Sequence, residues 1–244
     1  MRAQDQGSEL SADQQLIASL GTKALMPVGN GKSLLELSIE NLHAAGLTEV
    51  CLVIGPEHDT IRQHCASKNL SVSFAIQHEP TGTADAVLAA ENLIESSELF
   101  LVVNSDNLYP VESLFRLRTI CRPALLGFER DGLIANSNIP EERIKRFATI
   151  EVDHDESLKG IFEKPGHADP DLLVSMNAWL FSPRIFDACR AIELSERGEY
   201  EIAAAVQYAI DNFGERFAVV RSNEGVLDLS SRADIEGVRR FLEN

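Results

Sequence analysis

Leu99-Phe100-Leu101-Val102-Val103-Asn104-Ser105-Asp106-Asn107 is the stretch that decides the fold. Five apolar residues in a row do not suit a strand with one wet face. They predict a strand covered on both sides, as in a parallel sheet. The run stops abruptly in a polar turn, so the carboxyl end of this strand opens toward solvent. Upstream, the same reading gives a buried strand over 49–55, a helix over 57–68, a strand over 72–77 and an Ala-rich helix over 83–94. Further upstream, Ser33-Leu34-Leu35-Glu36 forms a capping box ahead of an apolar pattern at Leu34, Leu35, Leu37, Leu42 and Ala45, and Gly46 marks the helix stop.

Downstream, Pro110 sits in the first turn of a helix over 110–118. Strands are expected at 124–128, 147–152, 158–162 and 174–181, with a polar stretch over 130–145 between the first two. Helices at 183–192 and 201–213, a strand at 217–220 and a helix at 231–242 complete the pattern. Alternation of this kind predicts an α/β fold, a Rossmann-like, mostly parallel mixed sheet flanked by helices, with ligands bound beyond the carboxyl ends of the strands. At 244 residues one large core is the default. We expect a single domain over 1–244, with a nucleotide-binding half at about 21–128 and a substrate half at about 129–244.

The formal net charge is −16, from 22 Lys and Arg against 38 Asp and Glu. Such a field repels polynucleotides and anionic lipid surfaces, so neither a nucleic acid polymer nor a membrane is an expected partner. It also opposes small phosphorylated substrates. A phosphate site must therefore be a local exception built from lysines, backbone N–H groups or a divalent cation. Cys51, Cys65, Cys121 and Cys189 are far apart, show no CxxC or zinc-like spacing, and read as buried thiols. No secretion-signal pattern opens the sequence and no apolar run approaches the roughly 20 residues of a membrane span, so cytoplasm is the expected compartment.

Asp106 follows a buried strand and stands beside Asn107, a placement that suits Mg²⁺ held against nucleotide phosphates and equally a turn carboxylate satisfying loop N–H groups. Asp228, just ahead of a helix, is the candidate second carboxylate, or simply an exposed residue near that helix start. Glu163 and Lys164 could meet sugar hydroxyls and a phosphate, or form a solvated strand edge; Lys23, ahead of Ala-Leu-Met-Pro-Val, has the same ambiguity. Gln77 offers a donor and an acceptor, as a base edge requires, five residues before Gly82, which would let the backbone approach a base closely. The bland alternative for 77–82 is a polar turn. Asp85 reads as a residue that favours the first turn of its helix. The six histidines are scattered, and none has a nucleophile partner visible in the sequence.

Taken in order, Lys23-Ala24-Leu25-Met26-Pro27-Val28, Gln77 through Gly82-Thr83-Ala84-Asp85-Ala86, Asn104-Ser105-Asp106-Asn107 and Glu163-Lys164-Pro165 resemble the sugar nucleotidyltransferase family, the nucleoside-diphosphate-sugar pyrophosphorylases. Arg146 to Val152 stands where that family has a Tyr-Gly-Val-Val-like strand, Met176 to Phe181 where it has an Asn-x-Gly strand, and Arg197 to Ile202 where it has a Gly-Glu-x-x-Ile/Leu helix start. The resemblance implies a nucleotide-diphospho-sugar transferase fold and Mg²⁺-dependent joining of a nucleoside triphosphate, with UTP or dTTP favoured, to a sugar 1-phosphate. By that analogy Gln77, Gly82 and Thr83 bind the nucleotide and Asp106 and Asp228 hold Mg²⁺. Glu163, Asn177 and Ala148 bind the sugar, Lys164 its phosphate, and Lys23 a phosphate of either substrate. Asp106, Lys164 and Lys23 are the expected catalytic groups.

The sequence departs from the family at Ala148 and Ala178, where Gly is common and a methyl group could crowd a sugar. No loop of the type Gly-x-Gly-(Thr/Ser)-Arg-(Leu/Met) precedes Lys23. Met1-Arg2 fits the last two residues of such a loop, so the expectation is a first strand and glycine loop encoded upstream. Two other readings stand beside the main one: a non-catalytic binding or regulatory homologue, and nucleotidyl transfer to a non-sugar phosphorylated alcohol.

Overall fold

The computed structural model of the protein describes residues 23–29, 31–95, 98–162 and 172–243. Expectations that fall on Glu163, Lys164 and the first 22 residues therefore lie outside the described residues. Strands are β1 (Pro27–Gly29), β2 (Lys32–Ser33), β3 (Cys51–Ile54), β4 (Ser73–Ile76), β5 (Phe100–Val102), β6 (Asn107–Leu108), β7 (Ala124–Phe128), β8 (Thr149–Val152), β9 (Leu158–Phe162), β10 (Leu173–Phe181), β11 (Ala218–Ser222) and β12 (Leu227–Asp228). Helices are α1 (Leu34–Ala44), α2 (Asp59–Ser67), α3 (Thr83–Ala89), α4 (Val111–Arg118), α5 (Arg130–Asn136), α6 (Glu141–Ile144), α7 (Arg184–Ala191), α8 (Ile202–Phe213) and α9 (Asp234–Glu243).

The capping box is present: Glu36 N–H donates to the Ser33 hydroxyl oxygen, and the Glu36 carboxylate accepts from Ser33 N–H. The central sheet runs β11-β7-β10-β8-β9, with β5 on the other end of β10. Here the expected mostly parallel sheet needs refining. β5, β7, β8 and β11 point one way, yet β10 runs against them and pairs antiparallel with β5, β7 and β8. Of the described neighbours in this sheet only β11 and β7 are parallel; β3 and β4 form a separate parallel pair.

Alternation along β7 and β10 explains why both read as nearly continuous apolar runs. Leu125, Leu173, Trp179 and Phe181 face α3, α7 and α8, while Ala124, Leu126, Phe128, Val174, Met176, Ala178 and Leu180 face α4 and the 130–145 segment. On the first face Trp179 and Phe181 stack at 5.6 Å and Phe217 meets both edge-on. Each such ring contributes roughly 2–3 kcal/mol by burial.

Residues 130–145 are not an open polar stretch but hold α5 and α6. Gly225 is what lets this segment dock, because a Cβ there would lie 1.8 Å from the Asn136 carbonyl oxygen. Cys65 and Cys189 are buried and Cys51 is half-buried, but Cys121 is exposed: it lies in the 119–123 turn outside the core, a correction to the uniform expectation of buried thiols. No helix among the described residues is long and apolar enough to cross a membrane.

Candidate active site

The turn after β5 and the strand β12 meet at one corner. β12 pairs antiparallel with β6, placing Asp228 opposite Asn107, and Leu229 N–H donates to the Asp106 carbonyl at 2.8 Å. Two carboxylates remote in sequence, Asp106 and Asp228, are thereby brought together. Asp228 is 4% exposed, and Asp106 is partly buried. The Asp106 carboxyl is pushed above its ordinary value, first by burial and then by the Asp228 charge, while the Lys23 ammonium and the Arg143 guanidinium pull it down. Lys23, in the short turn Lys23–Leu25, is thus electrostatically part of the same corner.

Asp228 is tightly held. Its Oδ2 accepts from the Asn107 amide at 3.0 Å and the Ser230 hydroxyl at 2.9 Å, and its Oδ1 from Ser230 N–H at 3.1 Å. Its backbone exchanges two 2.8 Å hydrogen bonds with the Asn138 side chain. Arg143 Nη2 lies 2.8 Å from Oδ1, while Nη1 donates to both oxygens of Asp234 at 3.0 Å. The Nη2 contact is a close ion pair that lacks hydrogen-bond alignment, so Ser230 N–H is the aligned donor on Oδ1. The carboxylate oxygens of Asp106 and Asp228 and the repulsion between the two charges make a hard-oxygen donor set that fits a divalent cation. Arg143, Asn138 and Ser230 are the residues that sequence reading missed. Arg143 and Asn138 carry no local mark, since each acts on a partner brought close by the docking of 130–145; Ser230 lies two residues from Asp228, and that short turn was its one local signal.

Behind the corner, Tyr109 hydroxyl donates to the Met176 carbonyl at 2.5 Å, and burial raises its pKa well above the usual phenol range. One residue on is Asn177, with φ of 57° at an irregularity where the register between β10 and β7 shifts. A left-handed Asn at such a bulge re-aims its side chain and marks stored strain. Its Oδ1 accepts from Trp179 Nε1 at 3.4 Å. Ala148 lies on the neighbouring strand start, its carbonyl accepting from Ser175 N–H at 2.8 Å. The structure thus sets Ala148 and Asn177 on adjacent strands.

Gln77 follows β4, and its Nε2 donates to the Gly82 carbonyl at 3.0 Å and to Asp85 Oδ2 at 2.9 Å. Asp85 therefore does more than favour a first turn. At Gly82, φ is 136°, and a Cβ would meet the Tyr200 oxygen at 2.4 Å and nitrogen at 2.6 Å. The close approach that demands glycine here is to the Tyr200 backbone. Thr83 Oγ1 accepts from Ile202 N–H at 2.9 Å and so caps α8.

Glucose-1-phosphate thymidylyltransferase of Streptomyces griseus is 33% identical over 200 residues, covering 80% of this chain and 53% of that protein. A second thymidylyltransferase, from Streptomyces antibioticus, is also 33% identical, with the same coverage. The chain spans about half the length of these curated relatives. The UTP–glucose-1-phosphate uridylyltransferase AglF of Haloferax volcanii is 24% identical over 216 residues, covering 88% of this chain and 85% of that protein. A crystal structure of UDP-glucose pyrophosphorylase complexed with UDP-glucose superposes with a TM-score of 0.71 at 18% identity, covering 91% of this chain and 90% of the other, which establishes the fold. Residues 17–243 match the nucleotidyl transferase family, and the chain belongs to it.

Proposed function

We propose that this chain carries a sugar-1-phosphate nucleotidyltransferase centre. An oxygen of the sugar 1-phosphate attacks the α-phosphorus of a nucleoside triphosphate in line and forms a new P–O bond. The bond from the α-phosphorus to its bridging oxygen breaks, and pyrophosphate leaves with that electron pair. The observation that carries this reading is the convergence of Asp106 and Asp228 beside Lys23, past the carboxyl end of β5, in a chain of this family.

Asp106 and Asp228 would hold a divalent cation, Mg²⁺ in this reading, which would neutralise charge on the triphosphate. Lys23 offers its ammonium to a phosphate oxygen, which offsets the repulsion of two anions meeting in a net-negative molecule. Gln77 contacts the base, while Asn177 and Ala148 form the sugar side. Glu163 and Lys164 take sugar hydroxyls and phosphate on the sequence resemblance. Catalysis is positioning and electrostatics, since no side chain is needed as a nucleophile.

The names of the relatives make glucose 1-phosphate the first acceptor to try, with UTP and dTTP as first donors. The working picture is a single-domain cytoplasmic enzyme with neither a polynucleotide nor a membrane as partner. Pyrophosphate release by the whole protein, with Mg²⁺ and a panel of UTP, dTTP, CTP, ATP and GTP against glucose 1-phosphate and other sugar 1-phosphates, tests it. Turnover with UTP or dTTP is the expected result. No release from any pair would reject the reading.

A further inference from the structure

Gln77 is not free to choose which end of its amide it shows. Both hydrogens on Nε2 are committed, one to the Gly82 carbonyl and one to the Asp85 carboxylate. Chemistry fixes that assignment: both partners accept only, so an amide turned the other way would set its oxygen against two oxygens. The Gly82 carbonyl is itself anchored, since it also accepts from Ala86 N–H at 3.1 Å in the first turn of α3. Oε1 meets no protein donor among the described residues. Gln77 therefore offers a base one kind of contact, an acceptor.

We infer that Asp85 is a specificity-determining positioning residue, which with the Gly82 carbonyl latches the Gln77 amide so that the site selects bases carrying a ring N–H. Uracil, thymine and guanine have such a donor; cytosine and adenine present a lone pair at the matching ring nitrogen and would face Oε1 with it. The inference rests on the reading of Gln77 as the base contact. Turning the amide to suit cytosine breaks both hydrogen bonds, one of them to a charged group, a contact of the size that separates equilibria by about 10- to 100-fold.

UTP and CTP are the discriminating pair, because they match in size and differ at the edge in question. Binding of each to the whole protein is measured by calorimetry, alongside pyrophosphate release with glucose 1-phosphate, for the parent, Asp85→Ala and Asp85→Asn. The expected result is a strong UTP preference in the parent that falls about tenfold or more in Asp85→Ala, with UTP affinity itself changed far less. Asp85→Asn retains an acceptor oxygen and is expected to hold most of the preference. A purely structural role for Asp85 at the helix start would lower thermal stability and leave the UTP/CTP ratio unmoved. An unchanged ratio in Asp85→Ala, with the parent selective, overturns this inference alone. Equal binding of UTP and CTP by the parent overturns the latch itself. Failure of the parent to bind either nucleotide overturns the proposed function and this inference with it.

Discussion

At the scale of single residues, the corner carries its own instability. Asp106 is pushed above its ordinary value by burial and by Asp228, so the folded chain binds that proton more tightly than the unfolded chain does. The sign follows: this group's stability contribution is fullest below the ordinary carboxylate value and falls as pH rises from there through the folded value. A divalent cation must displace the same proton, so Mg²⁺ or Mn²⁺ affinity is expected to climb across that acidic window. Calorimetry at several pH values in two buffers of different ionisation enthalpy would read the rise and the proton release. Asp106→Asn removes one of the repelling charges. It is expected to raise the stability of the metal-free protein by about 1 kcal/mol near neutral pH while abolishing divalent binding and nucleotidyl transfer. A fall in Tm for Asp106→Asn would count against a functionally strained pair. Arg143 has the opposite character, being the built-in cation between Asp228 and Asp234. Arg143→Met is expected to lower stability by about 2 kcal/mol, and the gain in Tm on adding Mn²⁺ should exceed that of the parent. An equal or smaller gain would argue that the arginine does not share the carboxylate with a cation.

At the scale of elements, the Gln77 to Asp85 turn is held against the start of α8 by backbone hydrogen bonds in addition to the Thr83 hydroxyl and the packing of Ala84. Ala84 N–H donates to the Tyr200 carbonyl and Tyr200 N–H to the Thr81 carbonyl, each at 2.8 Å. Gly82→Ala would drive a methyl group into that backbone, which no rotamer change can relieve, and is expected to cost about 3 kcal/mol in chemical denaturation. Thr83→Val, which removes only the cap on Ile202 N–H, should cost about 1 kcal/mol. Near-equal costs would mean that the close approach to Tyr200 is not what requires glycine. The same comparison shows what a sequence can disclose. Ser33 and Glu36 announce α1 because both partners of the capping box lie within one turn, and the run over 99–103 announces β5 because its half-buried residues pack alternately on the two core clusters, which leaves a local signature. Residues 130–145 carry no clear helical pattern because α5 and α6 are short, α5 holds Gly132, and Asn136, Ser137 and Asn138 follow in a row. Their helicity comes from docking on 223–228, which no local pattern encodes. Asp106 was legible as a strand-end carboxylate and Asp228 as a carboxylate ahead of a helix, though its burial was not; Arg143 and Asn138 were not legible, because their partners are about 90 residues away.

At the scale of the whole molecule, the proposed reaction asks a chain of net charge −16 to admit two polyanions. Much of the surface positive charge is spent in ion pairs such as Lys32 with Glu40, Lys145 with Glu141 and Glu142, and Arg216 with Asp153 and Asp155. The long-range field is therefore repulsive to a nucleotide, whereas attraction in the proposed site is local to Lys23, Lys164 and any bound cation. Screening acts on these two unequally. Raising ionic strength from about 10 mM to about 150 mM shortens the Debye length from about 30 Å to about 8 Å, which removes the repulsion over most of the approach and leaves contacts inside the corner largely intact. At constant free Mg²⁺, kcat/KM for the triphosphate is accordingly expected to rise over that range, and association measured by stopped flow should account for the rise. A steady decline would mean that a positive local potential reaches well beyond the corner, and with it that the surface charge has been arranged to steer substrate inward.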